Sequence, residues 1–303
     1  MTSLSLEELS SKAVLQPRKI LIAVDLKENS EKIIAYSLLI TQRIYCDYTV
    51  LYCLDNDLSE EIAQEKVRLL LEKINEKYSN FANKYLKSII LNEKPVTAIE
   101  QLYQVHDYNC IMIGTTNHEN AWELGTTSKA ILLAIATSII VIPPKTELVF
   151  PNNISVLIEK KEKSNFERLT AFNRFVSFDN IFINFVFFPK DTKIMDEEKA
   201  LIEQYQSFFE SNFSFAFIVE AAPTYINFFE YIEETYCTSA VITWDESSAF
   251  YEPIKESNFY KFPCSPKVPV LYAKKKEPIE NAEKELTPFL ENLFINSEKN
   301  TTK

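Results

Sequence analysis

Two glycines stand in 303 residues, Gly114 and Gly125, and one short window holds both. It reads Ile113-Gly114-Thr115-Thr116-Asn117-His118-Glu119-Asn120-Ala121-Trp122-Glu123-Leu124-Gly125-Thr126-Thr127. A chain this sparing of glycine is expected to keep it where φ must be positive, or where something approaches the backbone closely. An apolar run, Cys110 to Ile113, precedes the window, and a helical pattern from Thr127 to Leu133 follows it. A strand, a polar loop and a helix start present free backbone N–H groups, and the ligand that suits them is a phosphate. Asp25 closes another apolar run, Ile20 to Val24, and ligands in open α/β sheets bind at strand carboxyl ends. A plainer reading makes Thr126 or Thr127 a helix N-cap and Gly125 a turn residue. It accounts for the hydroxyls but not for both glycines.

Other chemistry is thinly represented. His106 and His118 are the only histidines. His118 reads as a solvated loop side chain, and His106 as the end of a helix, where a cation suits the dipole. Neither stands at metal or catalytic spacing, and no Walker A or G-x-S-x-G arrangement occurs, so catalytic residues and a metal site are not expected. Five cysteines, widely spaced and never as C-x-x-C, imply free thiols in a reducing cytoplasm. A net charge of −11 argues against nucleic acid and anionic membranes as partners. Apolar runs stay well under the ~18 residues of a membrane span, and the N-terminus has no signal-peptide pattern.

The elements that must position these residues alternate. Ile20 to Val24, Thr49 to Leu54, Ser88 to Leu91, Cys110 to Ile113 and Ser138 to Ile142 are continuous apolar runs. Between them, Ser30 to Arg43, Glu60 to Asn83 and Val96 to Gln104 carry helical spacing, the last entered through Pro95. Continuous runs separated by helices imply a parallel sheet covered on both faces. The pattern recurs about 130 residues later, where Ile154 to Ile158 matches Ile20 to Val24 and Pro269 to Ala273 matches Ser138 to Ile142. Ala240 to Trp244 falls on Cys110 to Gly114, which puts Trp244 at the first glycine. This is a tandem duplication, with a boundary near residues 147–153.

With Ala23-Val24-Asp25 ending the first run and Gly114-x-x-Asn117 before Gly125-Thr126-Thr127, the sequence resembles the universal stress protein family in its two-domain form. The likeness covers residues 19–144 well and 153–274 weakly. Family members open with a strand ending A-V-D and carry G-x-x-G-x(9)-G-[S/T] after the fourth strand. Here Asn117 replaces the middle glycine, and seven residues rather than nine lead to Gly125. The resemblance implies two tandem doubly wound, Rossmann-like α/β domains of five mainly parallel strands, of the adenine-nucleotide alpha hydrolase-like kind, paired through their last strands. It also implies an adenine nucleotide, ATP, ADP or AMP, with Mg²⁺ if ATP. Ala23, Val24, Asp25 and Cys53 would lie near adenine, with Gly114, Asn117, Gly125, Thr126 and Thr127 around the phosphates. Other members bind no nucleotide.

The expected division is an N-terminal arm over residues 1–18, a first domain over 19–148, a second over 149–275, and an amphipathic tail over 276–303. Trp244, Asp245 and Glu246 remove the second domain's anion site. Its many phenylalanines, together with the tail, suggest apolar docking onto the first domain, a homodimer or another protein partner. Three functions follow: a stress-linked regulatory protein binding one nucleotide, a scaffold of the same fold binding none, and a nucleotide hydrolase. The last lacks a placed base or nucleophile.

Overall fold

A run of apolar residues with no polar alternation must be covered on both sides, and the runs at residues 20–22, 110–113, 138–142, 154–158, 183–187, 239–243 and 270–273 are buried accordingly. A computed structural model describes residues 17–27, 29–54, 58–78, 85–115, 125–158, 181–187, 212–217, 225–244, 255 and 268–274. The first half comprises β1 (Arg18–Val24), α1 (Ser30–Ile40), β2 (Cys46–Cys53), α2 (Glu60–Lys77), β3 (Tyr85–Leu91), α3 (Pro95–Val105), β4 (Cys110–Gly114), α4 (Thr126–Ala134) and β5 (Ser138–Ile142). The described elements of the second half are β6 (Asn153–Ile158), β7 (Phe182–Phe187), β8 (Asn212–Phe217), α5 (Tyr225–Glu234), β9 (Ser239–Thr243) and β10 (Val270–Ala273). The helices predicted to reach Arg43 and Asn83 end at Ile40 and Lys77. Ser59 caps α2 by accepting from Ile62 N, and Pro95 opens α3 as predicted.

The strands form one sheet in the order β3-β2-β1-β4-β5-β10-β9-β6-β7-β8. Within each half every described pairing is parallel, so each half is a doubly wound five-stranded unit with the order 3-2-1-4-5. The halves meet through their last strands, β5 and β10, which run antiparallel with Leu271 opposite Ile140. That junction is the pairing the resemblance implies. One face of the sheet packs on α1 and α2 through Ile33, Ile34, Leu38, Val67 and Ile74. The other packs on α3, α4 and α5 through Ile99, Leu102, Ile131, Leu132, Phe228 and Phe229.

Strand register corrects the alignment of the two halves by one residue. Ile20 lies opposite Cys110 in the first half and Ile154 opposite Ser239 in the second, so Ser239 rather than Ala240 matches Cys110. Gly114 then matches Thr243, and Trp244 matches Thr115. The backbone agrees, since Thr115 N donates to Ile142 O at 3.3 Å and Trp244 N to Ala273 O at 2.9 Å. Side chains alternate across a strand, and a one-residue slip would have put Val241 on the wrong face. In the corrected register Met112 and Val241 share one face, and Ile113 and Ile242 the other.

The repeat also appears in its turns. Asp107 and Tyr236 are equivalent in this register, each following a helix that leads into a strand, and both are left-handed, with φ of 28° and 51°. Among the described phenylalanines, Phe185, Phe187, Phe228 and Phe229 are core, and Phe182 is exposed. The tail, residues 1–16 of the N-terminal arm, and Phe166, Phe172, Phe175, Phe178 and Phe188 lie outside the described residues.

Candidate functional site

In the first half, β1 leads outward to β2 and β3, and the chain then crosses back to β4 on the other side of β1. In open α/β sheets the crevice that takes ligands lies at such a switch point, which here is the carboxyl ends of β1 and β4. Ala23 and Val24 end β1, and Ala23 lies opposite Ile113 of β4. Val24 lies opposite Tyr52, one residue before Cys53 at the end of β2. Gly114 is the last residue of β4. The structure thus brings Ala23, Val24, Asp25, Cys53 and Gly114 to one edge of the sheet.

Asp25 is exposed and shapes the turn into α1. Its Oδ1 accepts from Lys27 N at 3.0 Å and from the Ser30 hydroxyl at 3.1 Å. This local carboxylate turn holds Leu26 at φ 56°, a left-handed position for a residue with a Cβ. Asn29 stands at the N-cap of α1, where an asparagine side chain ordinarily accepts from a first-turn amide. It makes no such bond, and its Nδ2 is shut off from solvent without a partner.

The two glycines serve other purposes than the expected positive φ. Neither glycine has positive φ, and the left-handed positions among the described residues are Leu26, Asp107 and Tyr236. At Gly114 the demand is space. A Cβ there would lie 2.5 Å from Ile33 Cδ1, 3.4 Å from Ile33 Cγ1 and 3.3 Å from Asn29 Nδ2, so α1 itself makes the close approach. Gly125 is the N-cap of α4 with φ −49° and ψ 155°, a conformation open to any residue. The predicted capping role of Thr126 or Thr127 is therefore displaced by one position. Both threonines are exposed in the first turn, and Ser128, one residue on, uses its hydroxyl to reach Gly114 O at 3.0 Å. That bond ties the amino end of α4 to the carboxyl end of β4. Asn117, His118, Glu119 and Glu123 lie outside the described residues.

Cys53 is half-buried. Burial, reinforced by the charge of Glu93, pushes its thiol up to about 11, so it stays protonated at neutral pH. His106 does end α3, but not as the expected cation. Burial, with Lys19 and Lys87 adding repulsion, lowers its pKa, and its ring meets Tyr108 edge-on at 5.9 Å. Cys46, Cys53, Cys110 and Cys237 are free thiols.

The matching edge of the second half is filled. Trp244 is buried and meets Tyr272 edge-on at 5.4 Å. Lys274, the counterpart of Pro143, is buried against the Trp244 ring with its ammonium 5.9 Å from the centroid. Its Nζ donates to Leu132 O and Ile135 O at the carboxyl end of α4, and its amide donates to the Ser138 hydroxyl at 3.2 Å. Burial brings its pKa down to about 7. Sequence reasoning missed Asn29, Ser128 and Lys274. Only Asn29 carried a local signal, as an asparagine directly before a helical run.

Among the described residues, no helix is long and apolar enough to cross a membrane, and no group of three or more metal-ligating side chains converges. Neither the profiles of known protein families nor the curated proteins give a match to the sequence. Solved structures do match in three dimensions. A universal stress protein from Archaeoglobus fulgidus DSM 4304 superposes with a TM-score of 0.65 at 17% identity, over 86% of this chain and 98% of that one. A protein of unknown function from Pseudomonas aeruginosa PAO1 gives 0.60 at 11% identity, over 88% and 96%. The cytoplasmic domain of a prokaryotic cation chloride cotransporter gives 0.53 at 11% identity, over 86% and 96%. The chain has the fold of the universal stress proteins in tandem form.

Proposed function

We propose that the chain is a regulatory, stress-linked binding protein that takes one adenine nucleotide in the crevice of its first half. The observation that carries this reading is the convergence at one switch point of the Asp25 turn, the end of β4 at Gly114, and the amino end of α4 held there by Ser128. The first-turn amides of α4 and the positive end of its dipole suit an anion. Asp25 and Glu93, with Glu119 and Glu123 of the sequence window, set a limit on how much negative charge is accepted. AMP or ADP is therefore preferred, and ATP needs Mg²⁺.

The division into residues 1–18, 19–148, 149–275 and 276–303 belongs to this proposal, as do a cytoplasmic location and association through the second half with a like chain or a protein partner. Free thiols support the reducing compartment. Catalysis is not part of it, because Cys53 stays protonated and His118 has no evident partner in the sequence. Wild-type protein should release no phosphate from ATP above the rate of a His118→Ala variant.

Native mass spectrometry of freshly purified protein, followed by calorimetric titration with AMP, ADP and ATP with and without Mg²⁺, tests the reading. One nucleotide per chain, with AMP or ADP the tighter, is expected. Two equivalent sites, or tighter binding of metal-free ATP, would refute it. A flat titration would instead favour a scaffold acting through protein contacts, a reading consistent with the plugged edge of the second half.

A further inference from the structure

A buried lysine is costly to charge where no carboxylate stands beside it, and Lys274 is such a lysine placed where the two halves meet. It is the first residue past β10 and only 7% exposed, and its Nζ donates to Leu132 O and Ile135 O at the carboxyl end of α4. A neutral amine has two N–H donors, and these two carbonyls match them one for one. An ammonium carries a third, for which the described residues supply no acceptor, only the Trp244 ring with its centroid 5.9 Å from Nζ. The site therefore suits the amine better than the ammonium.

The elements around Lys274 bring no compensating charge among the described residues. Tyr272 on β10, Tyr108 ahead of β4 and Cys110 opposite Ser138 are buried, and burial raises the pKa of each, so all three stay neutral. Ser138 of β5 and Trp244 beyond β9 do not ionise. Lys129 lies at the amino end of α4, and α5 carries Glu230, Tyr231, Glu233 and Glu234. His106 ends α3 at the same sheet edge, under the influence of Lys19 and Lys87. Asp245 and Glu246 follow Trp244 in the sequence and lie outside the described residues. Burial is what brings the Lys274 pKa down to about 7, so its proton is taken up between about pH 8 and 6.

We propose that Lys274 is a proton-operated latch between the halves: the neutral amine fastens the carboxyl end of α4 to the second half, and the ammonium withdraws into solvent and lets that end loosen. Standing one residue past its strand, at the sheet edge, the side chain has a short way out. The amino end of α4 is tied to β4 by the Ser128–Gly114 bond, so release leaves the helix with polar anchorage at one end only. The latch does not depend on what the crevice binds.

The test uses the full chain with Trp122→Phe, which leaves Trp244 as the sole tryptophan. Its emission is followed from about pH 9 to about pH 5.5, and hydrogen exchange of residues 132–137 is measured at about pH 8.5 and about pH 6. Exchange is referred to the amides of β1, so that the intrinsic pH dependence and any global change in stability cancel. The emission is expected to titrate at about pH 7, and the relative protection of residues 132–137 to fall about tenfold at the lower pH, the worth of a hydrogen bond or two. Lys274→Arg, which keeps its charge, should show the loosened end at both pH values, and Lys274→Met, which has none, at neither. Equal protection at both pH values in the protein with Lys274 overturns the proposal even if the emission titrates, because the ammonium then stays in place. Loosening that persists in Lys274→Met overturns it too, by assigning the effect to another group such as His106. If Lys274→Met does not fold, Lys274→Gln serves as the uncharged variant.

Discussion

Replacing Gly114 with alanine adds one methyl group, and the structure says what that methyl meets. The new Cβ would sit 2.5 Å from Ile33 Cδ1, against the ~3.5–4.0 Å at which carbon atoms pack. About 1 Å or more must therefore be found within a core where Ile33 is buried in the same cluster as Ile142, Ile140 and Val24. Overpacking of this kind costs about 1–3 kcal/mol, while the stiffer unfolded chain of an alanine variant returns about 0.4–1 kcal/mol. The net expectation for Gly114→Ala is a loss of about 1–2 kcal/mol. Ile33→Val deletes Cδ1 alone and costs about 0.5–1.5 kcal/mol by itself. In that background the remaining contact distances, 3.3 and 3.4 Å, ask only for small adjustments, and Gly114→Ala should cost less than about 0.5 kcal/mol.

The double-mutant cycle, read as urea midpoints at constant m-value, should then show about 1 kcal/mol of favourable coupling. Equal costs of Gly114→Ala in both backgrounds would refute the packing account and return Gly114 to a purely backbone role.

Four further substitutions follow from the structure. Gly125→Ser should leave the fold intact and gain a few tenths of a kcal/mol as a better N-cap, and Gly125→Asp should do likewise while weakening AMP in calorimetry by like-charge repulsion. Lys274→Met should flatten the pH dependence of stability. The lysine binds its proton more weakly folded, at about 7, than unfolded, so wild-type stability rises with pH from about 7 towards 10.5, at a slope approaching ~1.4 kcal/mol per pH unit that urea titrations at several pH values can read. Glu31 accepts from Lys73 and Lys77 at 2.6 and 2.8 Å, and those bonds lower its pKa below the usual 4.5. Its stabilisation is therefore present at neutral pH and lost as pH falls through that lowered value. Glu31→Gln should cost about 0.2–1 kcal/mol at pH 7, because both lysines are exposed, and nothing in strong acid.

The doubly wound frame was readable because continuous apolar runs between helical stretches leave few other ways to cover a sheet. That Asp25 and Gly114 stand at strand carboxyl ends was readable because each ends such a run. Three things were not. A glycine in a sequence does not say whether φ or space is the reason for it, and here Leu26, Asp107 and Tyr236 take the left-handed turns while Gly114 makes room for Ile33. Aligning Ala240 with Cys110 was a one-residue slip, invisible in uniformly apolar strands and decided only by which face each side chain meets. Lys274 follows an apolar run as an ordinary surface lysine would, and nothing local announces that it turns inward to the end of a helix from the other half.

The two halves share one backbone plan, so their difference must lie in the side chains at the strand ends. Three equivalent positions separate them: Gly114 against Thr243, Thr115 against Trp244, and Pro143 against Lys274. In the first half the glycine admits α1 and leaves Asn29 facing the strand end. In the second, the indole fills its edge of the sheet, and the lysine beside it reaches α4, whose amino end Ser128 holds at the crevice. Duplication thus supplied two switch points, and the second is occupied by its own side chains in a way that braces the helix serving the first. In the proposed nucleotide-binding reading, the second half therefore has a part without a site of its own, by fixing where the first turn of α4 stands.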